Sequence, residues 1–283
     1  MGGLGMVTIN SNYIASFASN AAKQTSSGLD SAVERLSSGK RINYARDDAA
    51  GQAIATRLTA EIQGLSAASR NAADAQSLVD TADGALQESN SVLLRMRELA
   101  VQSANGTLTD ADRLNTDAEF QQLEAELTRI ADNTTFGGLN LLDGSFKGTS
   151  TNPAISFQIG EGANQTITVS IADMDATALS LNSNAVSTAA KAQTAITAID
   201  AAISEVSTER GKLGAVSNRL NSTVGNLDQI NVNLSASRGR IEDADFAQET
   251  GNLARNQILQ QAATAMIAQA NVSKSNVLTL LQN

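Results

Sequence analysis

The side chains best suited to chemistry in this sequence are two short clusters of carboxylates. Asp47 and Asp48 form one cluster, and Glu242, Asp243 and Asp245 form the other. Paired carboxylates can bind a divalent cation or act as general acid and base. They are also common at helix N-termini, where negative charge interacts favourably with the helix dipole. The second cluster lacks the ligand order of a twelve-residue calcium loop, so we interpret both as helix starts.

The composition excludes most other active-site chemistry. The 283-residue chain has no histidine, cysteine or tryptophan, one proline and 3% aromatic residues. It therefore lacks the usual ligands for zinc, copper or haem, a Ser-His-Asp triad, a thiol nucleophile and disulfides. Carboxylate, serine or lysine chemistry remains formally open. We predict that the protein is not an enzyme and that it uses no cofactor and no metal.

Charge and hydropathy limit the partners. The net charge of -9 disfavours nucleic acid, because neutralising phosphates requires a basic surface. No run of eighteen apolar residues is present, so no membrane-spanning segment is predicted. No cleavable export leader is visible either. With 42% hydrophobic residues, the chain can still bury a core of aliphatic side chains.

Two long stretches without proline repeat apolar residues every seven positions, as in coiled coils. The first stretch carries Leu58, Leu65, Ala72, Val79, Leu86, Leu93 and Ala100, with Ala68, Ala75, Ala82 and Met96 between them and an interruption at Ser89. The second stretch carries Ile199, Val206, Leu213, Leu220, Leu227, Leu234 and Ile241. A third helix is predicted between Leu114 and Ile130, with Thr109 as its N-cap and Asp112 completing a capping box. The fold class is therefore mainly α, with long antiparallel helical coiled-coil rods.

The pattern changes between the rods. Ile155, Phe157 and Ile159 alternate with polar residues, as do Ile167, Val169 and Ile171. This alternation predicts a β-hairpin, with an earlier strand near Leu139 to Leu141. Residues 173–188 are predicted to form a polar connector to the second rod.

Both ends of the chain carry apolar stripes at helical spacing. The N-terminal stripe contains Tyr13, Phe17, Ala21, Leu29, Val33 and Leu36, and the C-terminal stripe contains Leu259, Ala263, Met266, Ala270, Val277 and Leu281. Since the rods already provide partners for each other, these stripes are surplus apolar surface. A short amphipathic helix needs packing to be stable, so each stripe is expected to bind the other terminus or another chain.

Several segments resemble the signature blocks of bacterial flagellins. They are residues 36–55 and 94–102 in the first half, and residues 237–247, 257–263, 268–271 and 276–281 in the second. The blocks are long, specific and in the same order as in that family. Met1 to Gly5 depart from the short start of the family, which Met6 matches better, so the natural initiator stays open.

The resemblance implies an arrangement of layers in a helical filament. Residues 1–44 and 240–283 are the N-terminal and C-terminal helices of an inner tube, called D0. Residues 45–239 form a surrounding layer, D1, with rods 45–104, 110–133 and 185–239 and a β-hairpin region 136–175. The connector after the hairpin leaves no room for inserted outer domains. D0 helices of this kind are expected to become ordered on assembly.

The resemblance also implies partners and a location. A flagellin polymerises with itself, is exported by the flagellar type III apparatus, and meets an export chaperone, a filament cap and hook-filament junction proteins. Its location is therefore secreted, in the filament of the bacterial flagellum. Many flagellins also bind the innate immune receptor Toll-like receptor 5 (TLR5), and the positions that correspond here are Arg95, Met96, Leu99 and Glu119.

Two other protein classes fit parts of the pattern. A hook-filament junction protein shares the paired terminal helices. A chemoreceptor cytoplasmic hairpin shares the long antiparallel heptads, although it would lack a β-hairpin between its rods. An inserted catalytic domain, as some flagellins carry, has no counterpart in this sequence.

Overall fold

A computed structural model describes residues 11–146 and 153–281, with side chains as far as residue 273. Within these ranges the helices are α1 (Tyr13–Ser38), α2 (Ala49–Ala104), α3 (Asp110–Asn133), α4 (Ala189–Glu242) and α5 (Phe246–Leu281). The strands are β1 (Thr135–Phe136), β2 (Leu139–Asn140), β3 (Ile155–Gln158) and β4 (Thr166–Val169). The fold is mainly α with small β-hairpins, which confirms the predicted class.

The chain divides into two compact units. One contains residues 1–60 and 234–283, and the other contains residues 61–233. These divisions fall inside α2 and α4, whereas the layers implied by the resemblance divide the chain at residues 44 and 240. The predicted layer boundaries remain predictions.

The core of the unit at residues 61–233 follows the predicted heptads. Along α2 every predicted position from Leu65 to Ala100 is buried, and Ser89 is buried with them while its hydroxyl donates to the carbonyl of Ala85 at 3.1 Å. Along α4 the positions from Ile199 to Leu227 are buried. Polar pairs such as Gln76 with Ser217 and Asp83 with Arg210 fix the antiparallel register of the two helices.

The ends of the helices have recognisable caps. The Thr109 hydroxyl accepts from the backbone N–H of Asp112, and the Asp112 carboxylate accepts from the N–H of Thr109, which is the predicted capping box. The Asp48 carboxylate accepts from the N–H of Gly51 at 2.8 Å, and that of Asp245 accepts from Ala247 at 2.9 Å. Both carboxylate clusters therefore contain helix caps, as interpreted from the sequence.

The β region contains two antiparallel hairpins. Strand β3 pairs with β4 in the register Ile155 to Val169, and β1 pairs with β2 in the register Thr135 to Asn140. Both the main hairpin and the earlier strand near Leu139 were predicted. A side-chain amide of α2, from Asn71, donates to the carbonyl of Gln158 at 2.9 Å and fastens β3 to the helix.

The prediction of a polar connector at residues 173–188 was wrong. Met174, Ala176, Leu179, Leu181 and Val186 are all buried in the core of this unit. These apolar residues are irregularly spaced because the segment consists of turns, so neither helical nor strand periodicity revealed them. The segment covers the ends of the helices as part of the core.

Candidate assembly surface

Helices α1 and α5 pack together through small side chains. Ala18 and Ala32 of α1 are buried, as are Ala263 and Ala270 of α5. Gly28 lies so close to α5 that a Cβ atom there would be 2.9 Å from the Asn256 side-chain nitrogen. Helices that meet through alanine and glycine approach closely, and their large side chains then lie outside the contact.

One ion pair crosses this contact. The Arg35 Nη1 atom lies 3.0 Å from the Glu249 Oε1 atom. Glu249 is only 7% exposed, and its second carboxylate oxygen accepts from the Asn252 side chain at 3.2 Å. The buried carboxylate therefore has partners on both oxygens.

The two connectors that adjoin α1 and α5 are hydrogen bonded to each other. Lys40 and Asp243 form an isolated antiparallel bridge, the N–H of Arg41 donates to the Glu242 carbonyl at 2.6 Å, and the N–H of Ala244 donates to the Gly39 carbonyl at 3.0 Å. Gly39 ends α1 with φ of 70°, a left-handed conformation that glycine adopts without strain. The chain segments about two hundred residues apart are thereby joined at the backbone.

The connector after α1 has its own polar turn. The Asp47 carboxylate accepts from the backbone N–H groups of Tyr44 and Asn43 at 2.9 and 3.1 Å, and these bonds lower the pKa of Asp47. A hydrogen bond to Glu34 raises the pKa of Tyr44, whose ring lies 4.4 Å from the Arg46 guanidinium carbon. Asp47 and Asp48 thus both accept hydrogen bonds from backbone N–H groups close to them in the chain.

Large apolar side chains of α1 and α5 remain exposed outside the contact between the two helices. We call the surface that they form the outward face. Phe17 is 62% exposed and Ile258 is 65% exposed, which is unusual for residues of this size. The exposed members are Tyr13, Ile14, Phe17, Val33, Ile258, Leu259, Met266 and Val272. Clustered exposed apolar residues mark interaction surfaces in soluble proteins.

The structure divides the predicted inner-tube residues into two groups. Tyr13, Phe17, Val33, Leu259 and Met266 are exposed on the outward face, whereas Leu29 and Leu36 are half-buried. Val277 and Leu281 belong to the part of α5 whose side chains lie outside the described residues. The sequence predicts each stripe as a single face. In the structure the buried alanines of the stripes lie in the α1–α5 contact, and the exposed large residues lie beside it.

The four receptor-binding candidates separate into an exposed pair and a buried pair. The Arg95 Nη2 atom lies 2.7 Å from Glu119 Oε1, and its Nη1 atom lies 2.6 Å from Glu98 Oε2. These bonds raise the pKa of Arg95. Met96 and Leu99 are buried in the core. Of the four, only Arg95 and Glu119 have exposed side chains, and the assignment of all four to a receptor surface stays a prediction.

Sequence reasoning missed Arg113, which organises the turn between α2 and α3. Its side chain is nearly buried and donates to the carbonyls of Ser103, Asn105 and Leu108, the last two at 3.1 Å. The Ser103 carbonyl is in the last turn of α2 and the other two follow it, in the region where helices leave acceptors without partners. An arginine in a helical heptad pattern resembles any exposed charge, so nothing in the sequence distinguished it.

The described ranges also bear on metal binding and on membrane insertion. Among those residues, no group of three or more acidic side chains is placed to hold a metal ion. No helix there is both long and apolar enough to cross a bilayer.

Comparison with known proteins gives consistent matches along the chain. Residues 9–147 match the family profile of the bacterial flagellin N-terminal helical region, and residues 196–281 match that of the C-terminal helical region. The chain is 45% identical to a flagellin of Halalkalibacterium halodurans over 89% of this chain and 91% of that protein. It is 41% identical to a flagellin of Bacillus subtilis over 97% of this chain and 99% of that protein.

One solved structure is similar in fold. A putative flagellar hook-associated protein from Vibrio parahaemolyticus superposes with a TM-score of 0.58, covering 70% of this chain and all of that chain. Their sequences are 16% identical, so this likeness extends to the fold alone.

Proposed function

Since this chain belongs to the bacterial flagellin family and is a structural subunit of the flagellar filament, we propose that α1 and α5 become ordered as the subunit enters the filament. In this proposal the outward face is buried against neighbouring copies of the same chain. Family membership sets aside the junction-protein and chemoreceptor interpretations.

The observation that supports this proposal is the large apolar area on the outward face. Phe17, Ile258 and their neighbours remain exposed after α1 and α5 have packed together. Among the described residues, the buried apolar side chains of these two helices are alanines, which contribute little apolar area and stabilise the pair weakly. Two helices held this weakly need further contacts, and neighbouring subunits provide them on the outward face.

Serine substitutions on the outward face test the buried interface. Phe17→Ser and Ile258→Ser each remove a side chain whose burial contributes about 1.5–3 kcal/mol. We expect each variant to raise the concentration needed for seeded polymerisation by roughly tenfold to hundredfold. Leu114→Ser is the control, since Leu114 is 61% exposed and lies on α3. Equal polymerisation of Phe17→Ser and the unmodified protein would contradict the proposal.

Amide hydrogen exchange tests the ordering. In the dilute subunit, residues of α1 and α5 should exchange within seconds while those of α2 and α4 near Leu86 and Val206 stay protected. In the polymerised protein, α1 and α5 should become protected as well. Strong protection of α1 and α5 in the dilute subunit would exclude ordering on assembly.

Further partners follow from the family and the free outward face. We propose that an export chaperone covers the C-terminal helix before secretion, that the chain leaves the cell by the flagellar type III apparatus, and that subunits add beneath a filament cap above hook-filament junction proteins. Exposed apolar residues such as Ile258 and Leu259 support the need for a chaperone, because uncovered they favour premature association.

We also propose that the subunit is a ligand of TLR5 through Arg95 and Glu119. Both side chains are exposed and joined in an ion pair on neighbouring helices α2 and α3. Met96 and Leu99 support this surface from beneath, as core residues that position the backbone of α2.

A further inference from the structure

The methionines of this chain differ sharply in accessibility. The chain contains Met1, Met6, Met96, Met174 and Met266. Met96 and Met174 are fully buried in the unit at residues 61–233, whereas Met266 is 50% exposed. Met1 and Met6 lie outside the described residues. Among the described methionines, Met266 alone is exposed to solvent.

Met266 lies on the outward face of α5. Leu259, seven residues earlier and two turns away on the same side, is also exposed, whereas Ala263 and Ala270 beside Met266 are buried against α1. Met266 therefore lies at the edge of the α1–α5 contact, on the same side of α5 as the exposed Leu259.

The antiparallel register of the two helices brings Phe17 of α1 close to the level of Met266 of α5. Arg35 is opposite Glu249, and Gly28 is opposite Asn256. Continuing this antiparallel register places Ala18 opposite Met266, next to the exposed Phe17. Met266 and Phe17 are thus at one end of the same apolar surface.

We propose that Met266 is an oxidation site of the unassembled subunit, and that its sulfoxide opposes polymerisation. The inference rests on the proposed burial of the outward face in the filament. The oxidant is hydrogen peroxide: the sulfur lone pair bonds to one peroxide oxygen, the O–O bond breaks, and the hydroxide that leaves takes up the proton of the transferred oxygen and becomes water. Sulfur loses two electrons and the peroxide gains them.

The product changes the character of the surface. A sulfoxide is strongly polar and accepts hydrogen bonds, so removing it from water without a donor is unfavourable. Met266 is accessible before assembly both in the helical pair and in an unfolded terminus, whereas Met96 and Met174 are protected by the core. Burial in the filament would shield Met266, so oxidation and assembly oppose each other.

The test begins with dilute hydrogen peroxide and the full-length subunit. Peptide mass spectrometry over time should find one added oxygen on Met266 well before Met96 or Met174. The oxidised subunit should need about ten times the usual concentration for seeded polymerisation. In assembled filaments the oxidation of Met266 should be at least tenfold slower. Equal rates for Met266 and Met96, or unchanged polymerisation after oxidation of Met266, would overturn the proposal.

Two variants separate Met266 from the other methionines. Met266→Leu keeps an apolar side chain of similar volume, so peroxide treatment should change its polymerisation much less than that of the unmodified chain, each compared with its own untreated sample. Met266→Gln places a polar group of similar length there and should reproduce the defect without peroxide. If peroxide impairs Met266→Leu as strongly as the unmodified chain, Met1 or Met6 is responsible and the proposal fails. Normal polymerisation of untreated Phe17→Ser would instead contradict the proposed outward-face interface itself.

Discussion

Arg35 and Glu249 form an ion pair across the α1–α5 contact, with 3.0 Å between Arg35 Nη1 and Glu249 Oε1. The two residues are separated by more than two hundred positions in the chain. Glu249 is nearly buried, so the loss of its partner leaves a carboxylate that has little access to water. Removing one partner of this pair should therefore destabilise the structure more than removing one partner of an exposed ion pair in the same protein.

Arg35→Met is therefore expected to weaken the filament. Leaving the Glu249 carboxylate short of a partner should cost about 1–3 kcal/mol, which corresponds to a roughly fivefold to hundredfold higher critical concentration for polymerisation. The control is Arg97→Met, because the Arg97–Asp200 pair is exposed on both sides and should contribute little. The double variant Arg35→Met with Glu249→Leu should recover most of the loss. Equal effects of Arg35→Met and Arg97→Met would refute this expectation.

Arg113→Met should destabilise the fold more than other arginine substitutions. The nearly buried guanidinium donates to the carbonyls of Ser103, in the last turn of α2, and of Asn105 and Leu108, and hydrogen bonding to a charged group contributes about 1.5–3 kcal/mol. We expect the free energy of unfolding of the full-length subunit to fall by about 2–3 kcal/mol in urea titrations. Arg129→Met, which removes an exposed pair with Glu126, should lower it by less than about 0.5 kcal/mol. A similar loss in both variants would argue against the role of Arg113.

Two carboxylates on α3 should respond to acid with opposite signs. Hydrogen bonds from Thr109 lower the pKa of Asp112 below 3.8, so its stabilising contribution is lost as the pH falls through that lowered value. Burial raises the pKa of Glu124 above 4.5, so the folded state binds this proton more tightly and gains stability as the pH falls through the raised value.

Urea titrations between pH 2.5 and 7 measure both effects. Asp112→Asn should be less stable than the unmodified protein at pH 7 and should lose less stability below pH 3.8. Glu124→Gln should be more stable at pH 7, because it removes a charged group whose Oε2 atom is buried without a hydrogen-bond partner. A Glu124→Gln variant that is less stable at pH 7 would contradict the desolvation argument.

Arg95→Asp should weaken activation of TLR5 by the subunit. The substitution reverses the charge beside Glu98 and Glu119 and places three carboxylates together, which disfavours an acidic or apolar partner surface. In a receptor reporter assay we expect at least a tenfold higher concentration for half-maximal response. Arg129→Asp is the matched control on α3, and Met96→Leu should leave the response unchanged because Met96 is in the core. A normal response to Arg95→Asp would contradict the proposal that Arg95 and Glu119 bind the receptor.

The sequence predicted the regular parts of the fold well. Heptads such as Leu86 and Val206 predicted burial because coiled-coil packing repeats every seven residues, and Thr109 predicted a helix start because capping is local. The core segment around Leu181 was missed because its burial depends on contacts made by turns without periodicity. Met96 illustrates a conflict: its heptad position predicted burial, whereas the family resemblance placed it in a receptor site, and packing decided the outcome.

The assembly surface was predictable in location but not in detail. Stripes at both ends indicated surplus apolar residues, yet spacing alone did not separate Ala263, which faces α1, from Leu259, which faces outward. Helices with apolar residues on more than one side have no unique inner face in sequence. The bridge between Lys40 and Asp243 was not foreseen either, because backbone pairing between distant segments leaves no local pattern.

The Lys40–Asp243 bridge has a mechanical consequence for a filament that rotates against viscous drag. Because the Lys40 and Asp243 segments are fastened side by side, tension on either terminus reaches both covalent strands at once. Pulling on one strand alone would load the Arg41–Glu242 and Ala244–Gly39 backbone bonds in shear, so both must break before that strand can extend by itself. Force applied to one crossing of the chain is thereby shared with the other.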